Sequence, residues 1–168
     1  MKKTAIQLPL QTTSLTAAFM VWVILSALMP FISADIELSG NQTALVTAIP
    51  VVLGSLLRIP IGFWTNRFGA RRLFSINFFL LLLPIYYISI ANTFVDLVIG
   101  GLFLGISGAL FSVGVTSLPK YFPKERHGFV NGIYGVGNIG TAITTFAAPV
   151  LASQFGWQTT VKFYLLLM

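Results

Sequence analysis

Five times in 168 residues this chain runs for about 20 residues with almost no charge and then breaks at a short polar stretch. That repetition constrains its fold more than any single motif does. A helix rises about 1.5 Å per residue, so each run is long enough to cross a hydrocarbon layer about 30 Å thick. Composition agrees, with 56% of residues apolar, 8% charged and no long stretch lacking hydrophobic residues. The expected fold is an all-α membrane protein with spans near 15–32, 43–65, 73–91, 94–118 and 127–153. A sixth run opens near Thr159 and reaches residue 168 after about ten residues, roughly half of what a bilayer requires. The expectation is therefore one partial domain over residues 1–168, the front part of a longer protein, holding five complete transmembrane helices and the start of a sixth.

Several chemistries are excluded early. With no cysteine and with His127 as the one histidine, the chain has no thiolate, no disulfide and no histidine cluster for a metal. Gly135, Gly137 and Gly140 match G-x-G-x-x-G, but that fingerprint binds a dinucleotide only after a strand in a βαβ unit, so no cofactor is expected. No nucleophile–base pair stands out, which argues against an enzyme. Met1-Lys2-Lys3 before apolar residues has the look of a signal peptide, yet about ten uncharged residues precede the main run and more spans follow, so a retained signal-anchor is expected.

The charges orient the spans. Lys2, Lys3, Arg67, Arg71, Arg72, Lys120, Lys124 and Arg126 all fall on one side, leaving only Arg58 and Lys162 of the ten basic residues inside spans. The positive-inside rule then places the N-terminus in the cytoplasm. A net charge of +6 is explained by this topology, with no need for nucleic acid; the basic loops at most touch anionic headgroups of the bilayer. Asp35, Glu37 and Asp96 fall in outside loops and Glu125 in an inside loop, so the hydrocarbon region contains no carboxylate.

It does contain a cation. Arg58 is the only charged residue of the second span, and a charge near the bilayer centre costs about 2.5–3.5 kcal/mol on insertion scales. Pro50, Gly54, Arg58 and Gly62 recur every four residues and share one helix stripe, where small residues let another helix approach. An inward-facing, anion-binding role follows; the alternatives are snorkelling to the interface or a structural bond to a neighbouring carbonyl. In the fifth span Asn131, Asn138 and Thr145 are spaced by seven with Gly135 and Ala142 between them, a small and polar seam. The Asn138 amide can donate two hydrogen bonds to an anion's oxygens, while the glycines there serve either close packing or substrate contact. Weaker candidates are Phe103 and Phe111 as pocket walls, His127 in a solvated loop, and Asn41-Gln42-Thr43 as a formal glycosylation acceptor in an outside loop.

The segment Gly62-Phe63-Trp64-Thr65-Asn66-Arg67-Phe68-Gly69-Ala70-Arg71-Arg72 resembles the G-x-x-x-D-R-x-G-x-R-R signature of the major facilitator superfamily. Asn66 stands where the family usually has Asp, a departure that weakens the charge contacts expected to hold the cytoplasmic gate shut. Within the superfamily, Leu57-Arg58-Ile59-Pro60-Ile61-Gly62, Tyr121-Phe122-Pro123-Lys124-Glu125-Arg126 and Tyr134-Gly135-Val136-Gly137-Asn138-Ile139-Gly140 are similar to segments of the nitrate/nitrite porter family. The resemblance implies a secondary active transporter of nitrate or nitrite in the cell membrane, two six-helix halves rocking about a central anion site by alternating access. It implies that Arg58 binds the anion, Asn138 hydrogen-bonds it, Phe111 helps sandwich it, and Gly135 and Gly137 lie beside it. Gly62, Asn66, Arg67, Gly69, Arg71 and Arg72 become the gating loop, and coupling runs through a proton or a counter-anion. The chemistry of nitrate agrees, since a planar, oxygen-rich monoanion suits a planar guanidinium that is always charged. Two other functions stay open: a carrier of a different small solute, and a truncated membrane fragment that transports nothing.

Overall fold

The computed structural model describes residues 2–168, with side chains from Ile6 onward; the side chains of Lys2 and Lys3 lie outside the described residues. Eight α-helices follow one another there: α1 Lys2–Trp22, α2 Ile24–Asp35, α3 Gly40–Phe68, α4 Ala70–Ile88, α5 Phe94–Ser117, α6 His127–Gly135, α7 Ile139–Phe155 and α8 Trp157–Phe163. Five stretches are long and apolar enough to cross a membrane, namely Ile6–Asp35, Gly40–Phe68, Ala70–Ile88, Phe94–Tyr121 and Lys124–Phe155.

The first stretch starts well before the expected 15–32. Thr12, Ser14 and Thr16 each return their hydroxyl to the carbonyl four residues earlier, at 2.8–3.0 Å, so polar residues that read as a break continue the helix instead. The fifth expected span is not one helix either. A 3-10 turn at Val136–Asn138 separates α6 from α7, where Gly137 seats on Leu15 and Gly140 on the backbone of Thr16. Four glycines in ten residues hold a regular helix weakly, and close approach of α1 decides the local geometry.

Two helix starts carry explicit caps. Ser39 and Gln42 form a reciprocal capping box on α3, at 3.3 and 2.9 Å, so Asn41-Gln42-Thr43 lies in the first turn of that helix and not in a loop as expected. Thr93 and Asp96 do the same for α5. His127, expected in solvated loop, instead heads α6 half-buried, its ring 2.9 Å from the Phe122 carbonyl.

Two joints are near copies. Gly69 links α3 directly to α4 with φ 81° and ψ 154°, and Gly156 links α7 to α8 with φ 78° and ψ 155°. Both follow a phenylalanine, and both donate to the carbonyl four residues back, Thr65 at 3.0 Å and Ala152 at 2.9 Å. They close the second and fifth membrane stretches, which is the relation expected of two inverted three-helix repeats.

The packing follows small residues. α3 lies along α5, with Pro50 and Gly54 set against Gly101 and Gly105, so close that a Cβ on Gly105 would stand 3.1 Å from the Pro50 carbonyl. α1 sits between α5 and α7. Beneath it Leu15, Phe19, Leu118, Val130 and Tyr134 form a buried cluster, and Trp22 and Phe111 pack on its edge.

Candidate functional site

That edge is where Arg58 lies. Pro50 and Gly54 are buried against α5, and Arg58, one turn beyond Gly54 on the same stripe, is half-buried. Its Nε–H donates to the Gly108 carbonyl on α5 at 3.4 Å. The guanidinium carbon is 5.1 Å from the Phe111 ring centre and 5.8 Å from that of Trp22. The side chain thus points at its helix neighbour, and the carbonyl bond foreseen as an alternative is made as well. Among the described residues one donor of five is used in this way, and the four Nη–H groups are left for a ligand beside two π faces that favour the cation.

Two rings of this cluster are fixed by their polar ends. Trp22 donates its indole N–H to the Pro50 carbonyl at 2.9 Å, and Tyr134 its hydroxyl to the Leu110 carbonyl at 2.9 Å. Ring centres lie 4.9 Å apart for Phe19 and Trp22, 6.4 Å for Phe19 and Phe111, and 5.8 Å for Phe111 and Tyr134. Gly108 and Gly114 leave the room: a Cβ on either would collide with Trp22 or Tyr134 respectively. Sequence reasoning found Phe111 but missed Trp22 and the packing role of Tyr134, because their signal is a glycine on a different helix.

Not every expected residue joins Arg58. Asn138 is exposed and its amide donates to the Gly135 carbonyl of its own turn at 2.8 Å. Ala142 and Thr145 of the same seam are also exposed, with Thr145 bonded to the Thr141 carbonyl at 2.8 Å. Gly137 is buried under Leu15, whereas a Cβ added at Gly135 would meet nothing within 4 Å. Asn131, at the head of the seam, keeps a buried Oδ1 without a partner among the described residues. Phe103 is 55% exposed and lines an outer groove with Leu83, Pro84 and Tyr87, away from Phe111. The reason is helical phase, since α5 turns Phe103 toward α4.

Comparison with known proteins decides the family: a sequence model of the Major Facilitator Superfamily matches residues 12–168. The chain belongs to the major facilitator superfamily. It is similar to the nitrite extrusion protein of Bacillus subtilis (strain 168), 64% identical over 163 residues that cover 97% of this chain and 41% of that protein. It is also similar to proteins named probable nitrate transporter NarT. The one from Staphylococcus epidermidis is 56% identical over 168 residues, 100% of this chain and 43% of that protein. The one from Staphylococcus carnosus (strain TM300) is 54% identical over 166 residues, 99% and 43%. The chain spans about two fifths of the length of these curated relatives.

In this facilitator chain the signature segment forms the α3–α4 joint. Asn66, in place of the usual Asp, accepts a hydrogen bond from Lys120 Nζ at 2.6 Å, so the position still reaches the segment after α5. Gly62 lies over Ser112 and Thr116 of α5. Arg67 stacks on its neighbour Phe68 at 5.4 Å, and Arg71 lines a groove between α4 and α1 with Gln7 and Ser75. Gly69 makes the turn, and Arg72 is exposed beside it. Two carboxylates are committed at helix ends: Asp35 accepts from the Trp157 indole at 2.7 Å, and Asp96 from the Tyr87 hydroxyl at 2.7 Å.

Proposed function

We propose that this chain forms the N-terminal half of a carrier for nitrate, nitrite or both, with Arg58 as its half of an anion site served by alternating access. One observation carries the reading: a guanidinium on a membrane-length helix, bonded to one backbone carbonyl beside two aromatic rings, with its forked donors unspent among the described residues. A weakly hydrated planar anion fits that setting, because its oxygens meet Nη–H groups in a plane while the rings exclude water. The names of the relatives point to the same substrate class. Asn138 serves by turning its amide off the Gly135 carbonyl toward the anion, and Gly135, uncrowded, lets the ligand approach the backbone. The Asn66–Lys120 contact is the closing element of the gate at the basic end. That end faces the cytoplasm, by the one-sided distribution of basic residues.

Uptake of nitrate by the intact carrier in proteoliposomes is the test. Arg58→Lys keeps the charge but loses the fork, and it is expected to lower apparent affinity at least ten-fold, whereas Lys162→Ala leaves it unchanged. Equal uptake by both variants, or a solute panel in which nitrate and nitrite fail to compete while another solute does, rejects the reading. Tracer exchange with internal nitrite at clamped pH separates counter-anion exchange from proton symport.

A further inference from the structure

We infer that Trp22 is the positioning residue of the site, holding Arg58 where the anion must meet it. Three independent features of the fold converge on this side chain. Its indole N–H is anchored on the Pro50 carbonyl at 2.9 Å, two helical turns before Arg58 on the same stripe of α3. Its ring occupies space that two glycines on different helices leave open: a Cβ on Gly54 would come to 3.1 Å from the indole nitrogen, and one on Gly108 would overlap the ring. Its ring centre lies 5.8 Å from the Arg58 guanidinium carbon, and that of Phe111 lies 5.1 Å from the same atom.

The consequence is mechanical as well as electrostatic. An arginine side chain has several rotatable bonds whose freedom must be lost, and its 3.4 Å bond to Gly108 is too long to hold it alone. Trp22 and Phe111 both approach the guanidinium, and together they restrict where the fork can lie before the ligand arrives. Trp22 is also the last residue of α1, next to the interruption at Val23, and its indole bond ties that joint to α3. Trp22 therefore acts through Arg58 and touches no reacting atom.

This inference rests on the reading of Arg58 as the anion's partner, and the experiment separates the two. Nitrate uptake by the intact carrier is measured for Trp22→Ala, Trp22→Phe and Arg58→Lys, with KM and kcat resolved and thermal unfolding in detergent recorded for each. Trp22→Ala is expected to raise KM roughly ten-fold with kcat within two-fold of the parent, and Trp22→Phe, which restores a ring but not the N–H, to lie between. A parent-like KM in both Trp22 variants, or a loss confined to kcat, overturns the inference. If Trp22→Ala does not fold, Trp22→Phe decides it by the same criterion. A parent-like KM in Arg58→Lys removes the anion site itself, and a raised KM in the Trp22 variants would then show that Trp22 acts other than through Arg58, which also overturns the inference.

Discussion

Gly54 and Gly132 show how differently one methyl group weighs at two positions of this chain. A Cβ on Gly54 would stand 2.8 Å from the Gly105 carbonyl oxygen, a backbone atom that cannot move aside, whereas one on Gly132 meets nothing within 4 Å. Gly54→Ala is expected to destabilise by about 1–3 kcal/mol through overpacking, and Gly132→Ala to be neutral or to stabilise by up to about 1 kcal/mol through helix propensity. Thermal unfolding in detergent measures both. Asn138 offers a second residue-level prediction. Its bond to Gly135 lies on an exposed helix face, so Asn138→Ala should change stability by less than about 1 kcal/mol while raising the KM for nitrate. Asn138→Asp places a carboxylate where the anion is proposed to bind and should abolish uptake. The stripe of Pro50, Gly54 and Arg58 was legible from spacing alone, because a fixed helical period puts those residues on one face. The self-bonded amide of Asn138 was not, because it depends on a 3-10 turn that only packing against α1 produces.

Helices and their joints carry a different kind of information. Gly69 and Gly156 occupy a backbone region with φ near +80° and ψ near 155° that is essentially closed to residues with a Cβ. Gly156→Ala is therefore expected to cost about 1–3 kcal/mol although no atom stands within 4 Å of the added carbon, and Gly132→Ala is the matched control in the same unfolding assay. Trp157 ties the start of α8 to the end of α2 through Asp35 at 2.7 Å. Trp157→Phe keeps the ring and removes that bond, an expected loss of about 1 kcal/mol. The existence of all five membrane-length stretches could be read from apolar runs, whose signal is strong and repeated. Their ends could not: hydroxyls bonding back along α1 extended one stretch, and glycine turns at residues 69 and 156 shortened two connections to a single residue.

At the scale of the molecule, topology is the accessible test. The chain contains no cysteine, so single substitutions can be labelled without background from it. Glu37→Cys, between α2 and α3, should react with an impermeant maleimide added outside intact cells, and Lys124→Cys, between α5 and α6, only after permeabilisation. The reverse pattern would invert the proposed orientation and with it the side on which the Asn66–Lys120 contact closes. By itself the sequence determined the class of fold, the isolated arginine within the second apolar run and the family signature, since apolar length, a lone charge and a glycine-bearing basic loop are local and one-dimensional signals. Only the tertiary structure decided what surrounds Arg58. Trp22, Gly108, Phe111 and Tyr134 come from three different helices, and they meet because glycines on α3 and α5 let the backbones close to van der Waals contact. A missing side chain has no periodicity of its own; its effect appears only when another helix fills the space it leaves.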